Sequence, residues 1–400
     1  MTAQVARVDA AAELLRLLDF ARGAAATPAG FAWLDDRGVP DLAQHVHTWI
    51  TTRMTHVFSL AHLQAVGDAA GLAAHGVRAL AGPLRDAEHG GWYAAVSADG
   101  RVVDATKAAY AHAFVVLAGS SATVAGVRGG EALLDEALEV VDTHFLDGDG
   151  RVVDALAPDM GPGEAYRGAN SSMHMVEALL AAGDVTGDRR RHDTALGIAE
   201  HLVHGVAREH DFLLPEHFTA DWVALPDYNA DDPADQFRPF GCTPGHLLEW
   251  SRLLLHLEAT VAEPPAWLLE DAVSLFESAT EVGWTVDLEP GFVYTVDWQR
   301  HPVVRSRMHW VHAEGLAAAA ALHRRTGEAS YADWQRVLEE YVATYLVDRD
   351  LGSWHHELDE HNRPAATTWQ GKPDVYHAYQ ALLLASRPLA PVLSVQLAGR

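Results

Sequence analysis

The sequence predicts an all-α protein, an (α/α)6 barrel in which six inner helices form a ring inside six outer helices. Strongly apolar helical runs begin six times along the 400 residues, at a nearly even spacing. Amphipathic patterns alternate with these runs, as expected for helices that turn one face to solvent. Short alternating segments with Asp-Gly or Asn turns join outer to inner helices. We therefore expect a single domain over residues 1–400, with short β-hairpins in the loops at one mouth of the barrel.

The outer helices are predicted from apolar and charged residues at helical spacing. The first lies within residues 1–23, where Arg, Asp and Glu are mixed into the apolar residues, unlike a secretory signal peptide. Four others cover residues 129–146, 189–210, 265–284 and 330–350. The predicted hairpins are at 91–104 and 352–364, and residues 226–239 form the longest loop. A long loop inside a compact domain is usually functional.

Each inner helix carries a histidine at or next to the start of its apolar run. The six are spaced by about 64 residues on average, and they are His56, His112, His174, His246, His312 and His377. The starts of the helices converge in such a ring, so we expect the six side chains to meet in one pocket. Any one of them is also explained as a buried, hydrogen-bonded residue, but that explanation fits the repeated set poorly.

Two of these helix starts are predicted in detail. In CTPGHLLEW, Thr243 is the expected N-cap and Pro244 the first helical residue, which puts His246 in the first turn. In KPDVYHAYQ, Pro373 is expected in the first turn together with His377. The positive end of a helix disfavours imidazolium, so these rings should be neutral at pH 7 and able to act as general bases.

Composition excludes several classes of partner and site. The chain has 29 basic and 55 acidic residues and a net charge of −26, which argues against binding to nucleic acids or anionic membranes. Its single cysteine, Cys242, excludes an internal disulfide framework and a thiolate metal cluster. There is no run of 18 uncharged apolar residues that would indicate a membrane span. We expect a cytoplasmic protein.

Carboxylates accompany the histidines at helical spacing. Glu177 and Glu249 follow His174 and His246 by three residues, which places each pair on one helix face. Glu314 occupies the matching position of its own repeat. Glu177 fits a structural acid as well as a pocket residue, whereas the neighbours of Glu249 and Glu314 favour the pocket.

An arginine, an amide and tryptophans complete the predicted pocket. Arg53 precedes the first histidine by three residues, and Asn170 lies one turn before the third, where it fits a helix cap as well as a hydroxyl binder. Trp49, Trp310 and Trp369 stand beside the predicted ring. Hydroxyl groups need planar donors and acceptors, and the C–H faces of a pyranose stack on indole, so this pocket suits a polyol.

Three other kinds of site are not expected. The chain has 24 histidines but no HExxH motif and no other recognised ligand spacing, so we expect no metal. It has no Gly-rich loop between a strand and a helix, so we expect no nucleotide cofactor. It also has no G-x-S-x-G nucleophile elbow.

Five segments in combination resemble the N-acylglucosamine 2-epimerase superfamily. They are TRMTHVFSLAHL (52–63), GANSSMHMVEALL (168–180), PGHLLEW (244–250), WVHAEGLAAA (310–319) and KPDVYHAYQALL (372–383). The resemblance spans nearly the whole chain and is strongest to the branch of mannose isomerases and sulfoquinovose isomerases. It implies an (α/α)6 barrel that isomerises or epimerises free sugars without a required metal or nucleotide.

The resemblance also implies roles for individual residues. His246 and His377 match the two catalytic histidines of the family. Residues that match the sugar site are Arg53, Tyr110, Asn170, His174, Gln236, Glu249, Trp310 and Glu314. We add Trp49 and Trp369 as expected substrate-binding residues because of their place beside the ring.

The implied reaction is aldose–ketose isomerisation through an enediolate. D-mannose is the expected substrate, because the sequence has no basic cluster suited to a sulfonate. The alternatives are a 2-epimerase acting on mannose or glucose, a sulfoquinovose isomerase, a glycoside hydrolase that uses Glu249 and Glu314, and a sugar-binding scaffold. The oligomeric state stays open.

Overall fold

Thirteen α-helices run through residues 8–399, the part of the chain that the computed structural model describes. They are α1 (Ala10–Ala21), α2 (Thr48–Leu63), α3 (Ala69–Leu80), α4 (Ala109–Val124), α5 (Gly130–Val140), α6 (Ala169–Thr186), α7 (Arg189–Ala199), α8 (Pro244–Thr260), α9 (Trp267–Gly283), α10 (His309–Thr326), α11 (Ala329–Tyr341), α12 (Tyr376–Leu384) and α13 (Leu393–Leu397). The even-numbered helices pack each against the next, and α12 packs against α2, which closes the inner ring. The predicted (α/α)6 barrel is confirmed.

The odd-numbered helices from α1 to α11 form the outer layer. Three of them continue as π-helical turns, at Val141–Phe145, Glu200–Ala207 and Val342–Leu346. The outer helices bury one face, whereas the inner helices are buried nearly all round. No helix among the described residues is long and apolar enough to cross a membrane. The predicted N-terminal helix is present as α1, and residues 1–7 of that prediction lie outside the described residues.

Short antiparallel strands connect the loops at one end of the barrel. They are β1 (Trp33–Leu34), β2 (Pro40–Asp41), β3 (Val46–His47), β4 (Ala95–Val96), β5 (Val102–Asp104), β6 (Lys107–Ala108), β7 (Ala155–Leu156), β8 (Tyr166–Gly168), β9 (His217–Thr219), β10 (Arg307–Met308) and β11 (Glu357–Leu358). The strand before an inner helix pairs with a strand of the following loop in β3–β4, β6–β7, β8–β9 and β10–β11. Neighbouring repeats are therefore tied together at this end.

The two predicted hairpins differ in their pairing. The segment 91–104 folds back on itself as β4 and β5. The segment 352–364 contributes β11, which pairs with β10 of the preceding repeat, and a single bridge joins Leu358 to Pro364. As β4 does with β3, β11 satisfies the backbone of the strand that leads into the inner helix of the preceding repeat, here α10.

A buried ion pair stands directly before three of the inner helices. The pairs are Lys107 Nζ with Asp86 (2.7 Å), Arg307 Nη1 with Asp287 (3.0 Å) and Lys372 Nζ with Asp348 (2.6 Å). The three cations are at most 1 % exposed. Removing one partner of such a pair costs roughly 3–5 kcal/mol, since the other charge stays buried. These pairs fix the loops to the helix starts that surround the site.

The fourth residue of three inner helices holds the loop that precedes it. The contacts are Thr51 Oγ1 with the N–H of Phe31 (3.2 Å), His112 Nε2 with that of Trp92 (3.1 Å) and His312 Nε2 with that of Phe292 (3.0 Å). A glycine precedes each donor in the sequence. At Gly91 φ is +65°, and a Cβ would lie 2.7 Å from Nε2 of His112. The outward face of the helix start is therefore a structural anchor.

One predicted helix start is confirmed and the other lies further along the chain. Helix α8 begins at Pro244 with Thr243 as its N-cap. Helix α12 begins at Tyr376 and not at Pro373. Asp374 explains the later start, because its Oδ1 accepts the backbone N–H of Tyr376 at 2.8 Å while its Oδ2 turns to Arg53.

Candidate active site

A cavity lies where the inner helices begin, and its volume is about 630 Å³ when the open space at its mouth is included. Eleven of the twelve predicted site residues line it: Trp49, Arg53, Tyr110, Asn170, His174, Gln236, His246, Glu249, Trp310, Trp369 and His377. Residues far apart in the sequence meet here, since Arg53 and His377 are 324 positions apart and come within 3.4 Å. The expectation that the helix starts converge on one pocket agrees with this arrangement.

The second and sixth residues of the inner helices face the barrel axis. Trp49 and Arg53 hold these positions in α2, and Asn170 and His174 hold them in α6. Trp310 is the second residue of α10. Positions four residues apart lie on the same face of a helix, so α2 and α6 each present a stacked pair to the cavity.

A buried carboxylate holds His246. Nδ1 of His246 lies 2.9 Å from both carboxylate oxygens of Glu216, which is 3 % exposed. An ionised carboxylate only accepts hydrogen bonds, so Nδ1 donates and Nε2 keeps its lone pair. The ring lies 5.1 Å from the ring of Trp310. Glu216 was not predicted from the sequence, although an acid within the apolar segment FLLPEHF was a signal for a buried, partnered carboxylate.

His377 has a similar arrangement and also packs on Trp310, at 5.8 Å between ring centres. Its Nδ1 lies 2.9 Å from Oε1 of Glu314. On the cavity side, Nη2 of Arg53 is 3.4 Å from Nε2, so this nitrogen presents its lone pair. Burial lowers the pKa of His377 well below 6.5, and the charge of Arg53 lowers it further. The ring is neutral at pH 7 mainly because it is buried, and not because of the helix dipole invoked above.

The guanidinium of Arg53 is fixed between two polar partners. Nη1 donates to Oδ2 of Asp374 at 3.3 Å, and Nη2 donates to the hydroxyl of Tyr110 at 2.6 Å. Its carbon Cζ lies 4.5–5.6 Å from the centres of four aromatic rings: Trp49, Tyr110, Phe114 and Tyr376. Burial raises the pKa of Tyr110 to about 12, so its hydroxyl stays protonated. Arg53 is a rigid cationic donor beside His377.

Three carboxylates share one guanidinium below the cavity. Arg252 lies 2.9 Å from Glu314, 3.4 Å from Glu249 and 3.6 Å from Glu177. Burial raises the pKa of Glu249 well above its usual range, and the charge of Glu314 raises it further. Burial acts in the same direction on Glu177, but the ring of His174, 3.6 Å away, and the charge of Arg252 hold its pKa below the usual range. Glu249 therefore faces the cavity and holds a proton more tightly than an exposed carboxyl group does.

Two groups of side chains bring possible metal-ligating atoms within 4.8 Å of one another. They are His174 with Glu177 and Glu249, and Glu249 with Glu314 and His377. The guanidinium of Arg252 already lies 2.9–3.6 Å from Glu177, Glu249 and Glu314, and its charge would repel a metal ion placed beside it. Metal ligands must also be deprotonated, which the raised pKa of Glu249 opposes. This donor set fits a metal ion poorly.

The six histidines do not share one pocket, which corrects the expectation above. His174, His246 and His377 line the cavity. His112 and His312 are the fourth residues of their helices and point to the preceding loops instead. The reason is the rotation of about 100° per residue in a helix, which puts the fourth position on a different face from the second and sixth. Burial lowers the pKa of His112 to about 4 and that of His312 to about 3.

Two further residues lie below the cavity wall. His56 is the ninth residue of α2, and its ring bonds Ser121 at 2.6 Å and Gln380 at 3.0 Å. Glu314 was expected to line the sugar site, but it lies behind His377, between Nδ1 of that ring and Arg252. Glu314 is the sixth residue of α10 and points toward the barrel axis, but the ring of His377 lies between it and the cavity.

Several cavity residues were not found from the sequence. His309 and His356 stack at 3.8 Å between ring centres, and both line the cavity. Asp374, Phe237 and Tyr294 line it as well. His309 precedes Trp310 at a helix start, which was a usable signal. The others lie outside the regular helices, where no periodic pattern marks which side chains turn inward.

The long loop predicted to be functional forms part of the cavity wall. Nε2 of Gln236 donates to the carbonyl of Thr368 at 2.6 Å, which joins this loop to the segment before α12. The ring of Phe237 lies 5.6 Å from Trp369 and 5.9 Å from Trp49. These aromatic side chains surround the mouth of the cavity and leave apolar faces of the kind on which a sugar stacks.

Comparison with known proteins agrees with this geometry. The family model for N-acylglucosamine 2-epimerase matches residues 29–381. A D-mannose isomerase of Thermobifida fusca is 54 % identical over 97 % of this chain and 96 % of its own length. A D-mannose isomerase of Pseudomonas cannabina pv. alisalensis is 51 % identical over 96 % of this chain and 93 % of its own.

A solved structure shows the same fold. The crystal structure of a D-mannose isomerase superposes with a TM-score of 0.88 at 28 % identity, covering 96 % of this chain and 99 % of that one. The family match, the similarity over the full chain and the shared barrel lead to one conclusion: this chain belongs to the N-acylglucosamine 2-epimerase family.

Proposed function

We propose that the protein is an aldose–ketose isomerase that interconverts D-mannose and D-fructose by proton transfer through an enediolate. The arrangement of His246 and His377 carries this proposal. Both rings line one cavity, and each binds a buried carboxylate through Nδ1, which leaves Nε2 as the basic atom. Both stand against Trp310, so a sugar stacked beside that indole meets two bases.

D-mannose is the substrate we favour. Two relatives that are 54 % and 51 % identical over nearly the whole chain carry the name D-mannose isomerase. Arg53 is the sole basic Lys or Arg side chain that lines the cavity in residues 8–399, and Asp374 already pairs with it. This balance of charge supports an uncharged aldose over one that carries a sulfonate.

The mechanism follows from the protonation states of the site. After the sugar opens, a neutral histidine takes the proton from C2, which lies next to the C1 carbonyl. Negative charge then develops on the enediolate oxygens, near the guanidinium of Arg53 and the hydroxyl of Tyr110. These donors are fixed before the reaction and so need no reorganisation. Delivery of the proton to C1, with transfer of the O2 proton to O1, gives the ketose.

The main rival is a glycoside hydrolase. That chemistry needs two carboxyl groups on either side of the scissile bond, about 5–9.5 Å apart. The candidates were Glu249 and Glu314, and both are bound to Arg252 on the same side of the cavity. Return of the proton to C2 from the opposite face would give the 2-epimer, so product analysis is needed to separate isomerase from epimerase.

The proposal also covers the cofactors, the partner, the domain organisation and the location of the enzyme. The enzyme needs no metal and no organic cofactor, because the buried carboxylates already contact Arg252, whose charge opposes a metal ion beside them. Its partner is a free monosaccharide. Residues 1–400 act as a single catalytic domain, since all six inner helices, α2, α4, α6, α8, α10 and α12, supply cavity residues. The protein works in the cytoplasm, which the single cysteine favours and cell fractionation would test.

The test is incubation of the purified protein with D-mannose, D-glucose, sulfoquinovose and cellobiose, followed by chromatography of the products. We expect fructose from mannose and no cleavage of cellobiose. Release of glucose from cellobiose would favour the hydrolase, and glucose without fructose from mannose would favour the epimerase. Binding of the sugars without turnover would favour the scaffold.

A further inference from the structure

A carboxylate outside the cavity is bound to one of its two bases. Glu216 is 3 % exposed, and both of its oxygens lie 2.9 Å from Nδ1 of His246. The backbone also holds Glu216, since its carbonyl accepts the N–H of Ala169 at 3.0 Å. Ala169 is the first residue of α6, so Glu216 is anchored to one inner helix and bonds a side chain of the next.

This contact decides which nitrogen of His246 carries the hydrogen. Because an ionised carboxylate has no hydrogen to donate, Nδ1 must be the donor, and the neutral ring is left with its lone pair on Nε2. Nε2 is the nitrogen that remains for a substrate in the cavity. In the other tautomer Nε2 would carry a hydrogen and could not take a proton from carbon.

The second base is held differently. Nδ1 of His377 bonds Glu314, but Glu314 also accepts a hydrogen bond from Nε of Arg252 at 2.9 Å. Glu216 has no ion pair with a Lys or Arg side chain in the described range, and His246 is its partner. The charge of Glu216 is therefore available in full to the imidazolium that forms when His246 takes a proton.

We propose that Glu216 is a positioning residue for the isomerisation, which fixes the tautomer of His246 and stabilises its protonated form. This inference rests on the proposed function, because it assigns Glu216 a part in proton transfer by His246. Glu216 does not touch the sugar and acts through the ring.

Glu216→Gln tests this role, because the amide keeps the shape but lacks the charge and can donate to Nδ1. We expect kcat to fall about 10²–10⁴-fold with little change in KM, the range associated with a general base that is lost or held in the wrong tautomer. Asp271→Asn is the matched control. Its carboxylate is also buried and lies 2.8 Å from Nδ1 of His204, outside the cavity. It should lower the melting temperature without changing kcat.

Wild-type kcat in the folded Glu216→Gln variant would overturn the proposal, as would an equal loss of kcat in Asp271→Asn. Neutron diffraction of deuterium-exchanged wild-type crystals covers the case in which the variant does not fold. We expect deuterium on Nδ1 of His246, and deuterium on Nε2 alone would overturn the proposal. The assay of the wild-type enzyme on mannose separates failure of the proposed function from failure of the role of Glu216. A wild type without isomerase activity would reject the proposed function, whereas the diffraction result would still report the tautomer of His246.

Discussion

Replacing Arg53 by lysine tests whether the site depends on the shape of the guanidinium as well as on its charge. Arg53 uses Nη1 for Asp374 and Nη2 for Tyr110, and Nη2 also lies 3.4 Å from Nε2 of His377. An ammonium group is a point charge on a flexible stem and cannot reproduce this planar fork. In the lysine variant the new amine can reach Asp374 or the cavity, but not both in the present geometry.

The expected loss follows from the number of contacts. Losing one hydrogen bond to a charged group costs about 1.5–3 kcal/mol, which corresponds to about a 10- to 150-fold loss of rate. The loss should fall mainly on kcat if Arg53 stabilises the enediolate, and on KM if it only holds the sugar.

The assay is steady-state formation of fructose from mannose, with Arg307→Lys as the matched control. Arg307 is also buried and paired with an aspartate, and Lys107 and Lys372 fill the same repeat position in their own repeats. The control should therefore keep wild-type kinetics. Wild-type kcat and KM in Arg53→Lys would refute the reasoning.

Four other outcomes are expected. His246→Ala and His377→Ala should each lower kcat about 10²–10⁴-fold in folded protein, and retention of more than about a tenth of the rate would remove that ring as a base. Exhaustive dialysis against EDTA should leave activity unchanged, whereas a loss restored by Mn²⁺ or Zn²⁺ would contradict this. Activity should persist as pH falls through 6.5, because the pKa of His377 is lowered. Stability to urea should fall from pH 6.5 toward 4, where the unfolded chain binds protons that folded His112 and His312 do not; equal stability at both pH values would contradict that linkage.

The ring of helices was predictable because its signal is periodic. Six apolar runs at nearly even spacing fit a closed ring of inner helices, and the charged faces between them fit an outer layer. Eleven of the twelve predicted site residues line the cavity. Nine of them stand near the starts of inner helices, which all lie at the same end of such a barrel. Gln236 and Trp369 lie in loops instead, and Gln236 was predicted from the family resemblance.

The faces of the helices were harder to predict. Aligning His112 and His312 with His174 treated them as equivalent, but a shift of two positions in a helix turns a side chain by about 200°. Thr51 shows the pattern that the alignment missed, since it fills the same fourth position in α2 and binds the same backbone group. The spacing from a preceding Lys or Arg does not separate the two faces, since His377 follows the buried Lys372 by five places, as His112 follows Lys107, and yet lines the cavity.

Polar residues that reach the site from irregular segments could not be predicted from the sequence. Glu216, His356 and Asp374 lie in loops, and their places depend on which strands pair across neighbouring repeats. The position of Glu314 also depends on a long-range contact. Its carboxylate bonds the ring of His377, the second residue of α12, and that ring lies between Glu314 and the cavity. Long-range contacts of this sort leave no local pattern in the chain.

The most direct test of proton transfer by histidine is the fate of the carbon-bound hydrogen in D₂O. A histidine that takes the C2 proton of mannose exchanges it with solvent whenever water reaches the ring, and polar side chains line this cavity. Fructose formed in D₂O by the EDTA-treated enzyme should therefore carry deuterium at C1, and mannose recovered at partial conversion should carry some at C2. Fructose without deuterium at any conversion would contradict the account and indicate direct hydride transfer or a site closed to solvent.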